Sequence, residues 1–487
     1  MLFFYSILTV PWLDKGVSSL DAHGVIQSAN NLLNDGIYTP SRPPGHPSYE
    51  FYLLYPLGSF IGAIRGFSPE ITTLVYNFVQ YISGIGVLIC FYSICIVLGL
   101  TRINSTLASL ILCCSPIFLL NSFDGDEVNQ ALLCFLISFL SLLRALNTSK
   151  KTALRKYVIC ASLFLAIATG FRQEFIFAYL ICPIFFLFHS QTKIWEYLKY
   201  VPIQFVFGVL VWLPVLLYNE FGLPMPMPMP ENDPLNNFKN KIVVGSYKLL
   251  FQAYTLPIAI LFFVLTILLI KKTKQFKNIS NKECYLLYSF IIILPLYVFL
   301  FYTYPYKVAF VIITVPVLIL GCFCLIKNKI LNNILVIFSI FSLCLNVDAT
   351  RERKIVFLYL NSSLYSQAVQ NKSFSKADRS MQILDRNFAE NSILIMDLWS
   401  WDLQYMTKHK MLSKSKINQL YSPNTNNNVY FANRQILDDS KQLKQLQMRG
   451  YSFYISRKLF ISRYYKYTPN QVTSSRMQES GILFNIL

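Results

Sequence analysis

The sequence has few charged residues and few breaks in its apolar character. Only 14% of its 487 residues are Asp, Glu, Lys or Arg, 54% are hydrophobic, and the mean hydropathy is +0.45. A soluble protein of this length carries a larger polar share, and here the apolar residues come in runs rather than at amphipathic spacing. The composition therefore excludes a soluble globular protein and indicates a polytopic membrane protein.

Cysteine is absent from residues 345–487 and from the predicted outer loops, because ten of the eleven cysteines lie inside apolar runs and Cys284 begins another. This distribution excludes a disulfide framework, and no CxxC metal pair is present. Motifs for nucleic-acid recognition are also missing. The formal net charge of +19 is better explained by basic cytoplasmic loops beside an anionic leaflet, so we predict no nucleic-acid partner.

Apolar runs of the kind that span membranes recur along the first 346 residues. A spanning helix needs about 20 mostly apolar residues, and the first run is short, which favours a thin or tilted span or a misplaced start codon. The eleven candidates lie near residues 2–12, 71–99, 105–121, 128–143, 157–171, 175–189, 201–219, 249–270, 284–303, 308–326 and 330–346.

Loop charges set the predicted orientation, because Lys and Arg are retained on the cytoplasmic side. With a cytoplasmic N-terminus, the basic clusters near 144–156 and 271–282 lie inside the cell. The acidic segments then fall outside, at 13–70, 122–127, 220–247 and after 347. The sequence therefore predicts that the chemistry of the protein takes place on the outer face, with membrane lipids as partners throughout.

The polar segment at 21–50 is the predicted active-site loop. Its six singled-out ionisable residues are Asp21, His23, Asp35, Arg42, His46 and Glu50. Ser18-Ser19 can cap a helix over about 20–34, four prolines between residues 40 and 47 exclude a helix next, and 51–66 reads as an interfacial helix. The alternative interpretation of Asp21 is a first-turn acid that only favours the positive end of the helix dipole.

Two further outer segments carry ionisable residues. Asp124, Asp126 and Glu127 lie at the outer mouth of two spans, where a solvated turn that caps the next helix is the alternative. Arg172 and Glu174 interrupt an otherwise overlong apolar stretch, and ionisable groups at such depth usually face a cavity or a partner. Arg172 is suited to a lipid-linked phosphate, and simple pairing of Arg172 with Glu174 is the alternative.

Residues 349–487 differ in composition, with 20 basic and nine acidic residues in mixed, periodic sequence. The runs 392–397, 451–455 and 481–487 are predicted strands, and 373–389 and 433–449 are predicted helices. Alternation of helix and strand favours parallel pairing. We predict a transmembrane catalytic domain over 1–348 and a small extracytoplasmic α/β domain over 349–487.

The order of elements in the membrane region resembles the GT-C glycosyltransferases. It comprises a short first span, an outer loop that opens with an acid, the pattern D-x7-A-x3-L-x2-G-x-Y from Asp21 to Tyr38, a Pro-rich turn and an interfacial helix. The resemblance is to bacterial members of the glycosyltransferase-39 type, a superfamily that includes protein O-mannosyltransferases and aminoarabinose transferases. It covers residues 1–346 and implies a bacterial plasma (inner) membrane protein.

The resemblance also implies roles for residues. Asp21 matches the catalytic Asp, a second acid faces it from the next outer loop, with Asp126 favoured over Asp124, and Lys307 matches a basic residue near the lipid phosphate. Snorkelling of Lys307 at the interface is the alternative. No cofactor is required by the sequence, although the three acids of Asp124-Gly125-Asp126-Glu127 leave a divalent cation open, because some relatives use one and others do not. Remaining predicted substrate-binding residues are Arg42, His46, Glu50, Glu127, Arg172 and Glu174.

These observations predict an inverting glycosyltransferase. It moves a sugar from a polyprenyl-phosphate donor to a glycan, lipid or protein acceptor, with Asp21 as general base. A nucleotide-sugar donor is disfavoured because every predicted cytoplasmic loop is short. Two other functions stay open: a lipid-linked oligosaccharide ligase or polymerase, which Arg42 and His46 would suit, and a non-enzymatic transporter or flippase, for which internal repeats are expected but not found.

Overall fold

The structure is a computed structural model, and it describes most of the first 371 residues and five strands beyond them. The described residues are 1–13, 32, 45–65, 69–123, 127–189, 192–218, 237–273, 280–303, 305, 308–352, 355–371, 393–396, 410–413, 428–431, 452–456 and 464–467. The predicted helices at 20–34, 373–389 and 433–449 and the predicted strand at 481–487 lie outside this set.

Helices dominate the described part of the first 344 residues, as the apolar runs predict. The α-helices are Leu2–Thr9, Pro47–Tyr49, Tyr55–Arg65, Pro69–Val97, Arg102–Cys113, Pro116–Phe123, Val128–Ala145, Lys151–Phe171, Ile181–Phe188, Val201–Tyr218, Phe238–Tyr247, Leu256–Thr273, Asn281–Thr303, Thr314–Leu320 and Lys329–Cys344, with Leu364–Asn371 farther on. Short 3-10 segments occur at Val10–Trp12, Gln173–Leu180, Ile194–Lys199 and Val308–Val311, and π-helical segments at Glu50–Leu54, Lys248–Ala253 and Gly321–Ile326.

Among the described helices, six are long and apolar enough to cross a membrane, and two bent pairs would each make a further span. Three more predicted runs are shorter helices, at Leu2–Trp12, Gln173–Phe188 and Lys329–Cys344. Many large apolar side chains on these helices are exposed, as a bilayer requires. The protein is therefore an integral membrane protein with an α-helical polytopic fold, while the total of eleven crossings stays a prediction.

Two of the predicted spans are broken. Helices Arg102–Cys113 and Pro116–Phe123 meet at 68°, because a proline restricts the preceding residue away from helical geometry. The span predicted over 249–270 is instead a sharp bend of 103° between Phe238–Ala253 and Leu256–Leu268, with Thr255 at a left-handed φ of 65°. Part of the predicted outer loop 220–247 is therefore helical.

Close packing and hydrogen bonds, rather than apolar burial, hold helices together in lipid. The short first helix illustrates this, because the hydroxyl of Tyr5 donates to the carbonyl of Tyr81 at 3.2 Å and the two rings stack with centroids 5.6 Å apart. A Cβ at Gly84 would lie 1.9 Å from the Tyr5 hydroxyl oxygen, so this approach depends on glycine.

A two-stranded antiparallel hairpin follows the last membrane helix directly. Its strands are Leu345–Glu352 (β1) and Ile355–Ser362 (β2), with Val347 opposite Leu360. The predicted domain boundary at 348 falls within β1, and the division into two domains stays a prediction. The composition of β2, IVFLYL followed by NS, is typical of a strand, although its apolar character resembles the spans before it.

The C-terminal region contains a five-stranded mixed sheet. Its strands are Ile393–Met396 (β3), Lys410–Ser413 (β4), Asn428–Phe431 (β5), Ser452–Ser456 (β6) and Tyr464–Tyr467 (β7), in the order β4-β3-β5-β6-β7. Pairing is parallel except between β6 and β7. The predicted strands at 392–397 and 451–455 and their parallel arrangement are confirmed, as is the fold class, a helical membrane protein with a small C-terminal α/β region.

Candidate active site

His46 immediately precedes the helical segment that begins at Pro47. Gly45 has a φ of 94°, a left-handed conformation that favours glycine, and Pro47 occupies the first helical position, where its missing N–H is not needed. The backbone N–H of His46 donates to Oε2 of Glu50 at 3.2 Å. Glu50 is fully buried and begins a π-helical segment, a local geometry that is frequent at functional sites.

The imidazole of His46 contacts two other elements. Its Nδ1 lies 2.6 Å from the carbonyl oxygen of Phe171 and 2.9 Å from Oε1 of Glu127. Because a carbonyl oxygen can only accept, Nδ1 carries the proton. Glu127, which precedes helix Val128–Ala145, is fully buried, and the exposed fraction of His46 is only 6%.

Arg172 occupies the break between helix Lys151–Phe171 and the following 3-10 segment, in an extended conformation with φ −146° and ψ 118°. Its Nε donates to Oε1 of Glu174 at 2.7 Å, and its Nη1 lies 3.4 Å from Oε1 of Glu127. The guanidinium also lies 5.3 Å from the ring centre of Phe310. The exposed fraction of Arg172 is only 4%, and its positive charge is compensated by two carboxylates and an aromatic face.

One glycine makes this assembly possible. A Cβ at Gly170 would lie 2.2 Å from Oγ of Ser48 and 2.3 Å from Cγ1 of Val211, well inside van der Waals contact. Ser48 also donates its hydroxyl to the carbonyl of Ile167 at 3.0 Å. The close approach seats segment Pro47–Tyr49 on the end of helix Lys151–Phe171, which brings His46 to the level of Arg172.

Uncharged residues surround the charged group. The hydroxyl of Tyr297 donates to the backbone carbonyl of Glu174 at 3.0 Å, and Gln80 donates its side-chain N–H to the hydroxyl of Tyr49 at 3.3 Å. Burial, followed by the nearby charge of Glu127, raises the pKa of Tyr49 well above its ordinary value. Tyr49 therefore stays neutral at physiological pH and cannot serve as a base.

The structure brings together five of the residues that the sequence singles out, His46, Glu50, Glu127, Arg172 and Glu174, which we call the buried charge cluster. Asp21, Asp126, Arg42 and Lys307 lie outside the described residues, so their placement stays a prediction. The predicted interruption at Arg172 and the alternative pairing with Glu174 are both present.

Sequence reasoning missed Tyr297 and Phe310, which are ordinary apolar-run residues with no distinguishing signal. It also had no means of seeing that the Phe171 carbonyl would accept from His46.

Metal binding was one expectation for the DGD sequence at 124–126. Within the ranges that the structure describes, no group of three or more His, Cys, Asp or Glu side chains is arranged to hold a metal ion. Asp124 and Asp126 fall outside those ranges, and a divalent cation stays a possibility raised by the sequence alone.

The fold is similar to that of a solved structure, ArnT from Cupriavidus metallidurans in the apo state. The TM-score is 0.60 over 92% of this chain and 91% of that one, at 9% identity, so the predicted resemblance is confirmed for the fold. No protein-family model and no curated protein matches the sequence.

Proposed function

We propose that the protein is an inverting glycosyltransferase that moves a sugar from a polyprenyl-phosphate donor to an acceptor on the outer face of a bacterial plasma membrane. The observation that carries the proposal is the buried charge cluster, built from three separate segments that the loop charges predict to lie on the outer face. Burying charged side chains is costly, so five of them together support a role in binding a ligand or in a reaction.

Arg172 is the proposed ligand of the donor phosphate. A guanidinium is planar, always charged and able to bond two oxygens at once, which suits a phosphate better than an ammonium does. In the present state Glu127 and Glu174 occupy its donors, at 3.4 and 2.7 Å. A lipid-linked phosphate would therefore displace one or both of these carboxylates from the guanidinium of Arg172.

Two further cations are proposed for the donor phosphate. Among the described residues of the buried charge cluster, three carboxyl groups, those of Glu50, Glu127 and Glu174, accompany the guanidinium of Arg172. Binding an anionic phosphate beside carboxylates is favoured by additional positive charge. Arg42 and Lys307, the two other proposed phosphate ligands, supply two positive charges.

Asp21 is the proposed general base, with Asp126 as the second acid of the site. In the transfer, the acceptor hydroxyl oxygen attacks the anomeric carbon while the bond from that carbon to the phosphate oxygen breaks. The hydroxyl proton passes to Asp21, and the electron pair stays on the departing lipid phosphate, which Arg172, Arg42 and Lys307 neutralise. Attack opposite the leaving group inverts the configuration.

His46 and Glu50 are proposed to organise the site and to contact substrate. His46 contacts the carbonyl oxygen of Phe171 and Oε1 of Glu127 through Nδ1, and the backbone N–H of the same residue donates to Glu50, so these residues hold the ring in one orientation. We further propose that 1–348 forms the catalytic domain and that the basic extracytoplasmic domain over 349–487 meets anionic headgroups or a charged glycan.

A lipid-linked oligosaccharide ligase is the second candidate, because the cluster contains both an Arg and a His. The experiment that separates the two is a lipid and glycan comparison of a deletion strain with its parent. The transferase predicts accumulation of a polyprenyl-monophosphate sugar together with a glycan, lipid or protein that lacks one sugar. A strain that instead accumulates a long lipid-linked oligosaccharide would contradict the transferase and favour the ligase.

A further inference from the structure

The hairpin formed by β1 and β2 has two unlike faces. Cross-strand partners share a face in an antiparallel pair, so the register groups Val347 with Leu360 and Ala349 with Leu358 on one side. The opposite side groups Asn346 with Asn361 and Asp348 with Tyr359. At its base the hairpin is therefore amphipathic.

The polar face is fixed to the helical bundle. Oδ1 of Asp348 accepts from the hydroxyl of Tyr247 at 2.8 Å, and Oδ2 accepts from the side-chain amide of Asn361 at 3.0 Å. Asn346 donates its side-chain N–H to the carbonyl of Phe251. Asn346 and Asp348 are both buried, so the contact with segment Phe238–Ala253 is tight and sets which way the other face points.

The apolar face is open. Val356, Leu358 and Leu360 are 62%, 60% and 62% exposed. Toward the turn the second face opens as well, with Ile355 and Phe357 at 60% and 51% exposed. Such a continuous exposed apolar surface is unusual for a segment in water and marks a contact with a membrane or a protein.

Two observations identify a membrane as the occupant. The hairpin continues without a gap from helix Lys329–Cys344, whose exposed apolar residues, among them Ile337 at 64%, already form the lipid-facing surface of the bundle. The sequence at and between the strand ends, Arg351-Glu352-Arg353-Lys354, has three basic residues and one acid, and its net positive charge complements anionic headgroups.

We propose that the hairpin lies in the headgroup region of the leaflet at which the last helix ends, with the face of Val356, Leu358 and Leu360 against the acyl chains. A β-hairpin at this place anchors the start of the C-terminal region to the bilayer. The hydrogen bond from Tyr247 to Asp348 connects the hairpin to segment Phe238–Ala253. This inference is independent of the proposed transferase activity.

The test uses the full chain in liposomes that contain phosphatidylglycerol. An environment-sensitive fluorescent amino acid is introduced by stop-codon suppression at Leu358, and its quenching is measured with lipids that carry quenchers at the headgroup or deep in the acyl chain. Ile337, exposed in the preceding helix, and Leu335, buried in the same helix, are the matched controls. Leu360 provides a second probe position on the same face, in case the first substitution prevents folding.

We expect headgroup quenchers to act strongly at Leu358, deep quenchers to act at Ile337, and neither to act at Leu335. Quenching of the Leu358 probe by aqueous iodide but not by lipid would place the hairpin in water and overturn the proposal. Protection from both lipid and iodide would show that protein covers the face, from this chain or a second copy, and would overturn it equally.

The net positive charge of residues 351–354 is tested by a separate comparison of lipids. Replacement of phosphatidylglycerol by phosphatidylcholine should weaken headgroup quenching at Leu358, and the triple variant Arg351→Gln, Arg353→Gln, Lys354→Gln should abolish that lipid dependence. Equal quenching of the unmodified chain in both lipids would contradict the assignment of the turn to anionic headgroups.

Discussion

Arg172 is the residue on which the electrostatics of the site depend. Its removal takes away the guanidinium that contacts both Glu127 and Glu174, and breaking a buried pair in this way costs about 3–5 kcal/mol. Arg172→Ala should therefore reduce both stability and donor use. Arg172→Lys keeps the charge but not the fork, so we expect a folded protein whose KM for the donor rises about 10- to 100-fold, as for loss of a charged hydrogen bond.

Initial rates at varied donor concentration, on membranes with matched protein levels, measure this effect. Lys327→Ala is the control, because Lys327 pairs with Glu283 at 2.7 Å while its own side chain is 60% exposed, and exposed pairs contribute little. A donor KM for Arg172→Lys equal to that of the unmodified chain would make Arg172 a structural residue.

At the scale of elements, the packing of Pro47–Tyr49 against the end of helix Lys151–Phe171 positions the site. Gly170→Ala would place a methyl group 2.2 Å from Oγ of Ser48, and the resulting overpacking should cost about 1–3 kcal/mol and move His46 away from Glu127. We expect a lower thermal unfolding midpoint and reduced transfer. Gly208→Ala is the matched control, since a Cβ there meets nothing within 4 Å.

If Gly170→Ala behaves like Gly208→Ala in both measurements, the close approach does not position the site.

The elements also show what the sequence could reveal. Unbroken apolar runs predicted helices well, and the interruption at Arg172 was predictable because two charged residues cannot sit in mid-span. The bend at Thr255 was not predictable. Pro257 is the one sequence signal near it, the apolar run continues beyond that proline, and the helix before the bend is less apolar than the one after it. The strand β2 was missed because its six apolar residues resemble the preceding span; its amphipathicity exists only across the pair with β1.

At the scale of the whole molecule, the buried charge cluster is a tertiary feature. His46, Glu127 and Arg172 come from three separate segments of the chain, and each could be singled out because charge is scarce in this chain. Their mutual contacts could not be predicted, because no periodicity relates residues in separate segments. Asp21 rests on the pattern that resembles the GT-C glycosyltransferases rather than on geometry.

The orientation of the molecule in the membrane is a prediction from loop charge. Reporter fusions after residues 150 and 275 should give a cytoplasmic signal, because Lys and Arg clusters near both are retained inside. Fusions after residues 235 and 400 should give an outside signal. A cytoplasmic signal from residue 400 would place the C-terminal region on the cytoplasmic side. This result would contradict the proposed transfer on the outer face of the membrane.

The central claim is that a carboxylate of this chain drives sugar transfer from polyprenyl phosphate, and labelled sugar transfer by membranes with matched protein levels tests it most directly. The unmodified chain should transfer label from polyprenyl phosphate, and Asp21→Asn should reduce transfer at least about 100-fold, because the amide cannot accept the proton. Expression should barely change, since a helix-dipole interaction contributes only about 0.3–1 kcal/mol, and Asp35→Asn should transfer normally. Transfer by Asp21→Asn at the rate of the unmodified chain would contradict the account.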